Sequence, residues 1–393
     1  MTPAARVQAA IDLLDEIIAA ARDGGAAADT LIARYFKARR YAGSKDRRAV
    51  RDLLYRAIRR CGDRPASGRA AMLGLAADDP ALAALFDGSP HGPAPIGAEE
   101  ERAPASLLPG WIAPHLPACI DADEQAALLG RAPLDLRVNR LKADAAQMRS
   151  AFPDAETFPA IPDALRLPEG GAVERSPAWR DGLVEIQDIG SQIIAMASGA
   201  RPGMTVIDLC AGAGGKTLAL AAMMEGRGRL IAADINRDRL ARLPERAARA
   251  GAGFVEPLLL DAGREAEALA PLHGAADAVL VDAPCSGTGT WRRNPEARWR
   301  LTPQRLTRIC RDQAHILDFA AALVKPGGRL AYAVCSIADD EGRAQIDTFL
   351  QRHSGWTVER PPLPLGREHG YGRLLTPAHD GTDGFFIATL LRS

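Results

Sequence analysis

The sequence predicts an α/β protein whose main body is a doubly wound parallel sheet, preceded by a helical domain. Two observations support this prediction: the first 86 residues show helical periodicity, and short apolar strands alternate with helical segments from about residue 191 onwards. The predicted strands of the sheet are Thr205 to Leu209, Arg229 to Asp234, Phe254 to Leu260, Ala278 to Asp282 and Arg329 to Val334. Ligands of such sheets bind at the carboxyl ends of the strands.

Proline and glycine positions divide the chain into four predicted regions. Residues 1–86 are rich in Ala, Leu and Arg at helical spacing, and residues 87–133 form a Pro/Gly-rich linker with a short helix. Residues 134–190 alternate like short strands around one helix, which predicts a small α/β subdomain. Residues 191–393 carry the parallel sheet and therefore the predicted catalytic domain.

Composition excludes several classes of protein. Of 393 residues, 47% are hydrophobic and 25% charged, which is ordinary for a globular protein and unlike a disordered or fibrous one. No apolar stretch reaches the roughly 20 residues that span a bilayer, and Met1 to Ala21 lacks the pattern of a secretory signal. The six cysteines are scattered and include no CxxC pair, so neither a disulfide scaffold nor a zinc site is expected. We expect a soluble cytoplasmic protein with reduced thiols and no metal.

Charge is balanced overall but uneven along the chain. The formal net charge is zero, whereas residues 34–64 contain twelve Lys or Arg against three Asp. A local excess of positive charge attracts phosphate, which favours an RNA-binding role for the N-terminal helices. The alternative, a solvated helical face with no ligand, stays open at this point.

A glycine-rich turn follows the first predicted strand of the sheet, within Val206 to Thr217. A phosphate-binding P-loop would need Gly where Cys210 stands, and the dinucleotide pattern that begins at Gly212 would need Gly at Thr217. Both nucleotide motifs are therefore excluded. What remains is a strand, a turn that lets a ligand approach the backbone, and an apolar helix.

Carboxylates follow the next strands at Asp234, Asp261 and Asp282. Acidic side chains at successive strand ends suit ribose hydroxyls, an adenine amino group and a cationic centre better than they suit a polyphosphate. S-adenosylmethionine has all three features. Taken alone, each glycine of the turn could serve only the backbone conformation, and each of these aspartates could be only a helix cap.

Three blocks of the sequence resemble the RsmB/NOP (Sun) family of S-adenosylmethionine-dependent RNA cytosine-5 methyltransferases. They are Asp208 to Thr217, Asp282 to Gly289 and Tyr332 to Ser336. The resemblance extends through Glu185 to Gln192, Arg292 to Pro295 and Asp383 to Ala388, covering roughly residues 134–393, and less specifically through Arg39 to Arg48. It implies a Rossmann-like class I methyltransferase fold and methylation of carbon 5 of cytosine in RNA, with ribosomal RNA as the expected substrate.

The resemblance also implies roles for individual residues. Cys335 is implied as the nucleophile, Cys285 as the thiol that helps to release the product, and Asp282 as a partner of the base. The implied cofactor contacts are Cys210, Ala211, Gly212, Ala213, Gly214, Gly215, Lys216, Asp234, Asp261 and Asp282.

Two departures from the family pattern stand beside these matches. Gly212-Ala213 replaces the common Ala-Pro, which predicts a looser turn. The stretch Ala338 to Gly342 replaces the usual Glu-Asn-Glu, so we assign it no catalytic role.

The chemistry explains why a thiolate is required. Carbon 5 of cytosine is a poor nucleophile until a nucleophile adds to carbon 6, and a thiolate is well suited to that addition once its pKa is lowered. A base inside a helix cannot be reached, so the substrate must be single-stranded or flipped. Cys61, Cys119 and Cys310 lie outside the matched motifs and are expected to be apolar filler.

Aromatic and basic residues alternate after the Cys285 motif, as base stacking and phosphate contact require. We expect about half of the following residues to contact RNA, and the others to be ordinary helix-surface charges. They are Trp291, Arg292, Arg293, Arg298, Trp299, Arg300, Arg305, Arg308 and Arg311.

Two alternative functions stay open. One is a non-catalytic RNA-binding or ribosome-assembly factor on a methyltransferase fold, which the altered Gly212-Ala213 turn favours. The other is a methyltransferase of DNA or protein, because DNA cytosine-5 enzymes take their nucleophile from a Pro-Cys motif such as Pro284-Cys285. That second alternative leaves Cys335 without a role.

Overall fold

A computed structural model describes residues 1–168 and 173–393. The chain forms two compact units. The helical unit comprises residues 1–131 and 290–306, and the α/β unit comprises residues 132–289 and 307–393. Within the described residues, no helix is long and apolar enough to cross a bilayer.

The helical unit is built from amphipathic helices around an apolar core. Its α-helices are α1 (Pro3–Asp23), α2 (Ala28–Ala38), α3 (Ser44–Arg60), α4 (Gly68–Ala77), α5 (Pro80–Ala83) and α6 (Ala122–Ala127). Short 3₁₀ turns cover Gly110–His115 and Pro295–Arg300.

Helix α1 shows how the sequence sets the bounds of these elements. The Thr2 side chain accepts from the Ala5 amide, and Pro3 occupies the first helical position, where no intrahelical amide partner is needed. The helix ends at Gly24, whose φ of 75° is a left-handed conformation that glycine adopts without strain. Between these ends, Val7 and Leu14 are fully buried, as the helical spacing predicts.

The α/β unit begins with a small subdomain and continues into the main sheet. The subdomain comprises β1 (Leu134–Val138), α7 (Ala145–Ala151), β2 (Glu156–Thr157), β3 (Ala164–Leu167), α8 (Pro177–Arg180) and β4 (Val184–Ile186). The first half of the main sheet comprises α9 (Ile189–Ala197), β5 (Thr205–Asp208), α10 (Gly215–Met223), β6 (Arg229–Asp234), α11 (Arg237–Leu240), α12 (Leu243–Ala250), β7 (Val255–Leu259) and α13 (Glu265–Leu269). The second half comprises β8 (Ala276–Asp282), α14 (Pro303–Leu323), β9 (Val324–Val334), α15 (Arg343–Arg352), β10 (Trp356–Glu359), β11 (Arg367–His369), β12 (Gly372–Leu375), α16 (Pro377–Asp380) and β13 (Phe385–Arg392).

The main sheet has the strand order β11-β12-β13-β9-β8-β5-β6-β7, with β10 paired to β13. Strands β9, β8, β5, β6 and β7 are parallel, and β13 joins β9 in the antiparallel direction. The chain runs outward from β5 through β6 to β7, then returns to β8 on the other side of β5. This reversal makes the β5/β8 boundary the switch point at which ligands of doubly wound sheets bind.

The core of the sheet follows from the apolar character of its central strands. Val206, Ile207, Val279 and Leu280 are fully buried, as expected for parallel strands covered by helices on both faces. The predicted α/β class and the doubly wound sheet are confirmed. The small subdomain forms a separate antiparallel sheet of order β2-β3-β1-β4.

Candidate active site

The glycine-rich turn lies at the switch point, between the end of β5 and the start of α10. Gly212 and Gly214 have φ values of 55° and 86°, left-handed conformations that a residue with a Cβ adopts only with strain. A Cβ on Gly212 would also lie 2.3 Å from a guanidinium nitrogen of Arg239. The turn therefore uses glycine where the family commonly has alanine.

Three contacts restrain the turn from outside. The Gly212 amide donates to Asp234 Oδ2 at 2.6 Å, and Arg246 Nη1 donates to the Ala213 carbonyl at 2.7 Å. Gln187 Nε2 donates to the Gly215 carbonyl at 3.1 Å, so the matched block Glu185 to Gln192 supports the turn directly. These hydrogen bonds fix the backbone at a position where the chain lacks the family's proline.

Asp208 is fully buried beneath the turn at the end of β5. Thr217 Oγ1 donates to Asp208 Oδ2 at 2.7 Å, and Asp208 Oδ1 has no hydrogen-bond partner within the described part of the chain. Burial raises the pKa of Asp208 to about 7; Asp282 and Asp234 add to the rise, while the Thr217 hydrogen bond opposes it. Asp208 can therefore hold a proton near neutral pH.

Lys216 connects the turn to the end of β8. Its Nζ lies 2.6 Å from Asp282 Oδ2, and the two side chains are 12% and 28% exposed. Burial lowers the pKa of Lys216, but Asp282 raises it more, and the charge on Cys335 raises it further. Lys216 is therefore a cation whose field reaches both Asp282 and Cys335.

Cys285 and Cys335 lie side by side beyond the ends of two parallel strands. The β8/β9 ladder ends with Asp282 opposite Ala333, and the two sulfur atoms are 2.9 Å apart. The hydrogen bond to Cys335 and burial both raise the pKa of Cys285 well above its usual range, and the negative charge of Cys335 adds to this effect. The two sulfurs share one hydrogen bond, in which either thiol can be the donor.

The other implied cofactor residues lie along the same edge. Both carboxylate oxygens of Asp234 accept from backbone amides, those of Gly212 and Asn236, each at 2.6 Å. Cys210 is half-buried at the start of the turn, and Asp261 is exposed after β7. The carboxyl ends of β5, β6 and β8 thus bring together Asp208, Asp234 and Asp282, with Asp261 one strand further out.

The block Asp383 to Ala388 supports the Cys285 loop through a close backbone approach. The Gly384 amide donates to the Gly289 carbonyl at 2.8 Å, and a Cβ on Gly289 would lie 1.9 Å from the Gly384 carbonyl oxygen. Two glycines are therefore required where these segments meet. The blocks Asp383 to Ala388 and Asp282 to Gly289, which both match the family, are therefore in direct contact.

Several residues of the site were not predicted. Ile235 is 54% exposed directly after Asp234, which gives the cofactor edge an apolar contact surface. Gln187 and Arg246 hold the turn, and Glu341 lies beside the Cys285 loop. The sequence signal for Ile235 is an apolar residue directly after a strand-end carboxylate. Gln187, Arg246 and Glu341 act through contacts between residues far apart in the sequence, so no local pattern indicates them.

Of the nine aromatic and basic residues after the Cys285 motif, of which about half were expected to contact RNA, three are almost fully buried. Trp291, Arg298 and Trp299 are at most 3% exposed. Arg298 Nη2 donates to the Ile58 carbonyl at 2.6 Å and Trp299 Nε1 to the Cys61 carbonyl at 2.9 Å, so both side chains bind carbonyls at the end of α3. These side chains are structural parts of the helical unit.

Other aromatic and basic residues that follow the Cys285 motif have different surroundings. Arg292 is also buried. Arg300 donates to the carbonyls of Gly25 and Ala26, just after α1. Arg305, Arg308 and Arg311 are exposed, so RNA contact by these three stays a prediction.

Comparison with known proteins identifies the family. The family model described as 16S rRNA methyltransferase RsmB/F matches residues 195–391. The chain belongs to the RsmB/F family. The resemblance drawn from the sequence motifs is thereby confirmed.

Curated relatives from several bacteria agree with this assignment. A probable ribosomal RNA small subunit methyltransferase B from Synechocystis is 33% identical over 66% of this chain and 60% of the relative. Ribosomal RNA small subunit methyltransferase B from Salmonella paratyphi C is 32% identical over 73% of this chain and 66% of the relative. The chain thus matches less than two thirds of the length of these RsmB relatives.

Solved structures support the fold. The crystal structure of PH0851 covers 99% of both chains with a TM-score of 0.75 at 23% identity. A methyltransferase homolog protein from Pyrococcus horikoshii, at 25% identity, covers 71% of this chain and 92% of its own with a TM-score of 0.62. The RsmB/F chain therefore shares the predicted Rossmann-like methyltransferase architecture.

Proposed function

We propose that this RsmB/F protein transfers a methyl group from S-adenosylmethionine to carbon 5 of a cytosine in ribosomal RNA. The observation that carries the proposal is the pair of sulfurs, Cys285 and Cys335, 2.9 Å apart beside the cation Lys216. Lys216 belongs to the proposed cofactor site and its charge also acts on Cys335, so one residue links the cofactor site to the proposed nucleophile. A protein that only bound RNA would need neither thiol.

The residues at the switch point fit S-adenosylmethionine. The left-handed glycines allow a ligand to approach the backbone, and Ile235 offers an apolar surface beside Asp234. The buried Asp208 Oδ1 lacks a hydrogen-bond partner in the described residues, so a donor from a ligand would satisfy it. We propose that the cofactor is held by Cys210 to Lys216, Asp234, Asp261 and Asp282. When bound, S-adenosylmethionine would supply an electrophilic methyl group, whose bond to the sulfonium sulfur breaks as carbon 5 attacks, leaving S-adenosylhomocysteine.

Cys335 is the proposed nucleophile because the family resemblance implies this role and the Lys216 cation acts on it. A nearby cation stabilises a negative sulfur during the reaction, and Cys285 Sγ lies 2.9 Å from Cys335 Sγ. A bond forms between Cys335 Sγ and carbon 6, and the π electrons of the carbon 5–carbon 6 bond move into the ring, so that carbon 5 becomes nucleophilic. Asp282 would accept a hydrogen bond from the exocyclic amine of the base, and the Lys216 cation paired with it would offset the negative charge that develops in the ring.

Cys285 is the proposed base of the later step. Its pKa is raised partly by the negative charge of Cys335, and that charge disappears when Cys335 bonds to carbon 6. Cys285 can then release its proton to solvent and accept the proton of methylated carbon 5. The electrons of that carbon–hydrogen bond reform the carbon 5–carbon 6 double bond as the bond between Cys335 and carbon 6 breaks.

The N-terminal helices are the proposed RNA-binding surface. Arg34, Lys37, Arg40, Lys45 and Arg48 are exposed, in contrast to the buried Arg298. Beside them, the Tyr41 ring is 74% exposed and available for stacking on an unpaired base. Affinity from these contacts should fall as salt rises.

A cytoplasmic location is also proposed, because both cysteines must remain reduced to act as described. Cytoplasmic thiol systems keep such pairs reduced, whereas oxidising compartments favour disulfides.

Methyl transfer to defined RNA tests the proposal. Purified protein is incubated with labelled S-adenosylmethionine and unmodified bacterial small-subunit ribosomal RNA, and the nucleosides are analysed by mass spectrometry. We expect saturable cofactor binding in calorimetry and label in 5-methylcytidine. No binding at millimolar cofactor would favour an assembly factor, and label in another nucleoside, in DNA or in protein would overturn the cytosine assignment.

A further inference from the structure

Glu341 carries a buried carboxylate that lies between the segments of the two cysteines. It belongs to the turn after β9, within the stretch Ala338 to Gly342 to which sequence comparison assigned no role. Its side chain is fully buried, where an ionised carboxylate is stable only if donors surround it. The identity of those donors indicates what the carboxylate does.

The donors come from the residues next to each cysteine. Glu341 Oε1 accepts from the Ser286 amide at 2.7 Å, and Glu341 Oε2 accepts from Ser336 Oγ at 2.6 Å and from Ser286 Oγ. Ser286 follows Cys285, and Ser336 follows Cys335. One carboxylate thus holds the residue after each thiol.

A second group of contacts completes the connection on the Cys285 side. Gln313 Nε2, on α14, donates to Glu341 Oε1 at 3.1 Å and to the Pro284 carbonyl at 3.0 Å. Glu341 therefore also acts, through Gln313, on the residue before Cys285. The Tyr332 hydroxyl donates to the Glu341 carbonyl at 2.7 Å, which fixes the glutamate backbone against β9.

Thr288 closes the loop against the Cys335 strand. The Ile337 amide donates to Thr288 Oγ1 at 2.9 Å, and Thr288 Oγ1 lies 2.8 Å from Ser336 Oγ. The Gly289 amide donates to the Cys335 carbonyl at 3.1 Å. The paired residues of β8 and β9 end at Asp282 and Ala333, so these side-chain and backbone contacts hold the two segments together where the two thiols lie.

We propose that Glu341 is a positioning residue that sets the separation of the two cysteine sulfurs through Ser286 and Ser336. The catalytic part rests on the proposed function, in which both thiols react with one base. The geometric part, that loss of the carboxylate lets the sulfurs separate, is independent of any substrate. The negative charge of Glu341 also raises the pKa of Cys285, after the larger effects of Cys335 and burial.

Disulfide trapping measures the geometry without substrate. The oxidant diamide removes two electrons from a pair of thiols, and the rate at which the Cys285–Cys335 disulfide forms reports how often the sulfurs meet. The linked peptides are identified by mass spectrometry in the wild-type protein, Glu341→Gln and Glu341→Ala. The matched control is Asp347→Asn, which removes a carboxylate paired with Arg343 at 3.4 Å, six residues further along the chain.

We expect the Glu341→Ala protein to form this disulfide about 10- to 100-fold more slowly than wild type, because misplacement by about 1 Å costs this much in proximity-driven reactions. Glu341→Gln should be slowed less, since its amide oxygen still accepts from one serine. Asp347→Asn should react at the wild-type rate. In methylation assays, the Glu341 variants should lose kcat with little change in the KM for S-adenosylmethionine, because the Glu341 hydrogen bonds described above involve Ser286, Ser336, Gln313 and Tyr332 and not the glycine turn.

Wild-type trapping rates in folded Glu341→Gln and Glu341→Ala proteins would overturn the proposal. If both variants fail to fold, as judged by circular dichroism, Ser336→Ala replaces them: it removes one donor, and slower trapping is expected, whereas an unchanged rate contradicts the proposal. A wild-type protein that methylates no RNA would overturn the proposed function, yet trapping would still decide the geometric role of Glu341.

Discussion

The ends of strands β8 and β9 each present a cysteine, and their sulfurs nearly touch, yet their surroundings differ. Cys285 lies in a loop whose next residue is held by the Glu341 carboxylate, and its pKa is raised by its partner and by burial. Cys335 lies where the Lys216 cation acts on it. The comparison teaches that two chemically identical side chains can have different electrostatic surroundings, because the partner thiol, burial and Glu341 act on Cys285, whereas the Lys216 cation acts on Cys335.

Replacing the nucleophile should have the largest effect. We expect Cys335→Ser to reduce methyl transfer at least about 10⁴-fold, in the range that loss of a covalent nucleophile causes in other enzymes. Single-turnover methyl transfer to RNA measures this effect. Cys119→Ser, which alters a half-buried thiol of the helical unit, is the control and should retain activity. Comparable turnover in the Cys335 variant would place the nucleophile elsewhere.

The buried carboxyl beneath the turn provides the next prediction. Because the pKa of Asp208 is raised from 3.8 to about 7, the native state binds a proton that the unfolded state has already released between these values. The free energy of unfolding therefore falls as pH rises through this window, by up to about 4 kcal/mol for a shift of this size. Asp208→Asn should abolish this slope and gain stability over wild type from pH 4 to pH 7.

Denaturant unfolding of the cofactor-free protein at a series of pH values measures the difference between Asp208→Asn and wild type. A difference that stays constant with pH would show that Asp208 ionises normally, and the proposed proton on this carboxyl would be withdrawn.

Removing the Lys216 cation should have a smaller effect and tests the asymmetry of the thiols. In a Cys285→Ala background, Lys216→Met should slow the alkylation of Cys335 by iodoacetamide at neutral pH by about 10-fold, as expected for loss of a nearby opposite charge. Lys325→Met is the control, because Lys325 also pairs with an aspartate, Asp277, at 2.5 Å. An equal alkylation rate in the Lys216 variant would mean that this cation does not affect the reactivity of Cys335.

Much of the fold could be predicted from the sequence, because parallel strands buried on both faces leave apolar runs bounded by acidic or glycine-rich ends. The run Val206 to Leu209 and the turn after it could be located on this basis alone. Family motifs then pointed to Cys285 and Cys335, although their separation depends on the pairing of β8 with β9. No local pattern gives that distance.

Other features depend on contacts between residues far apart in the chain. Glu341 reaches Ser286, 55 positions away, so its role was not visible in its own short stretch. Arg298 and Trp299 resemble RNA-binding residues by residue type, but their side chains donate hydrogen bonds to carbonyls at the end of α3. The exposed Arg40 and Lys45 have the same charge and remain on the surface. Composition alone cannot separate a solvent-facing arginine from one that binds helix carbonyls.

The covalent protein–RNA complex is the most direct test of the proposed division of roles. Cys285→Ala and Cys335→Ala proteins are incubated with S-adenosylmethionine and small-subunit ribosomal RNA, then separated on denaturing gels. Cys285→Ala should accumulate a complex linked through Cys335, because the methylated adduct lacks the thiol that removes the carbon 5 proton, whereas Cys335→Ala should form none. A complex with Cys335→Ala, and none with Cys285→Ala, would contradict the assignment and exchange the roles of the two cysteines.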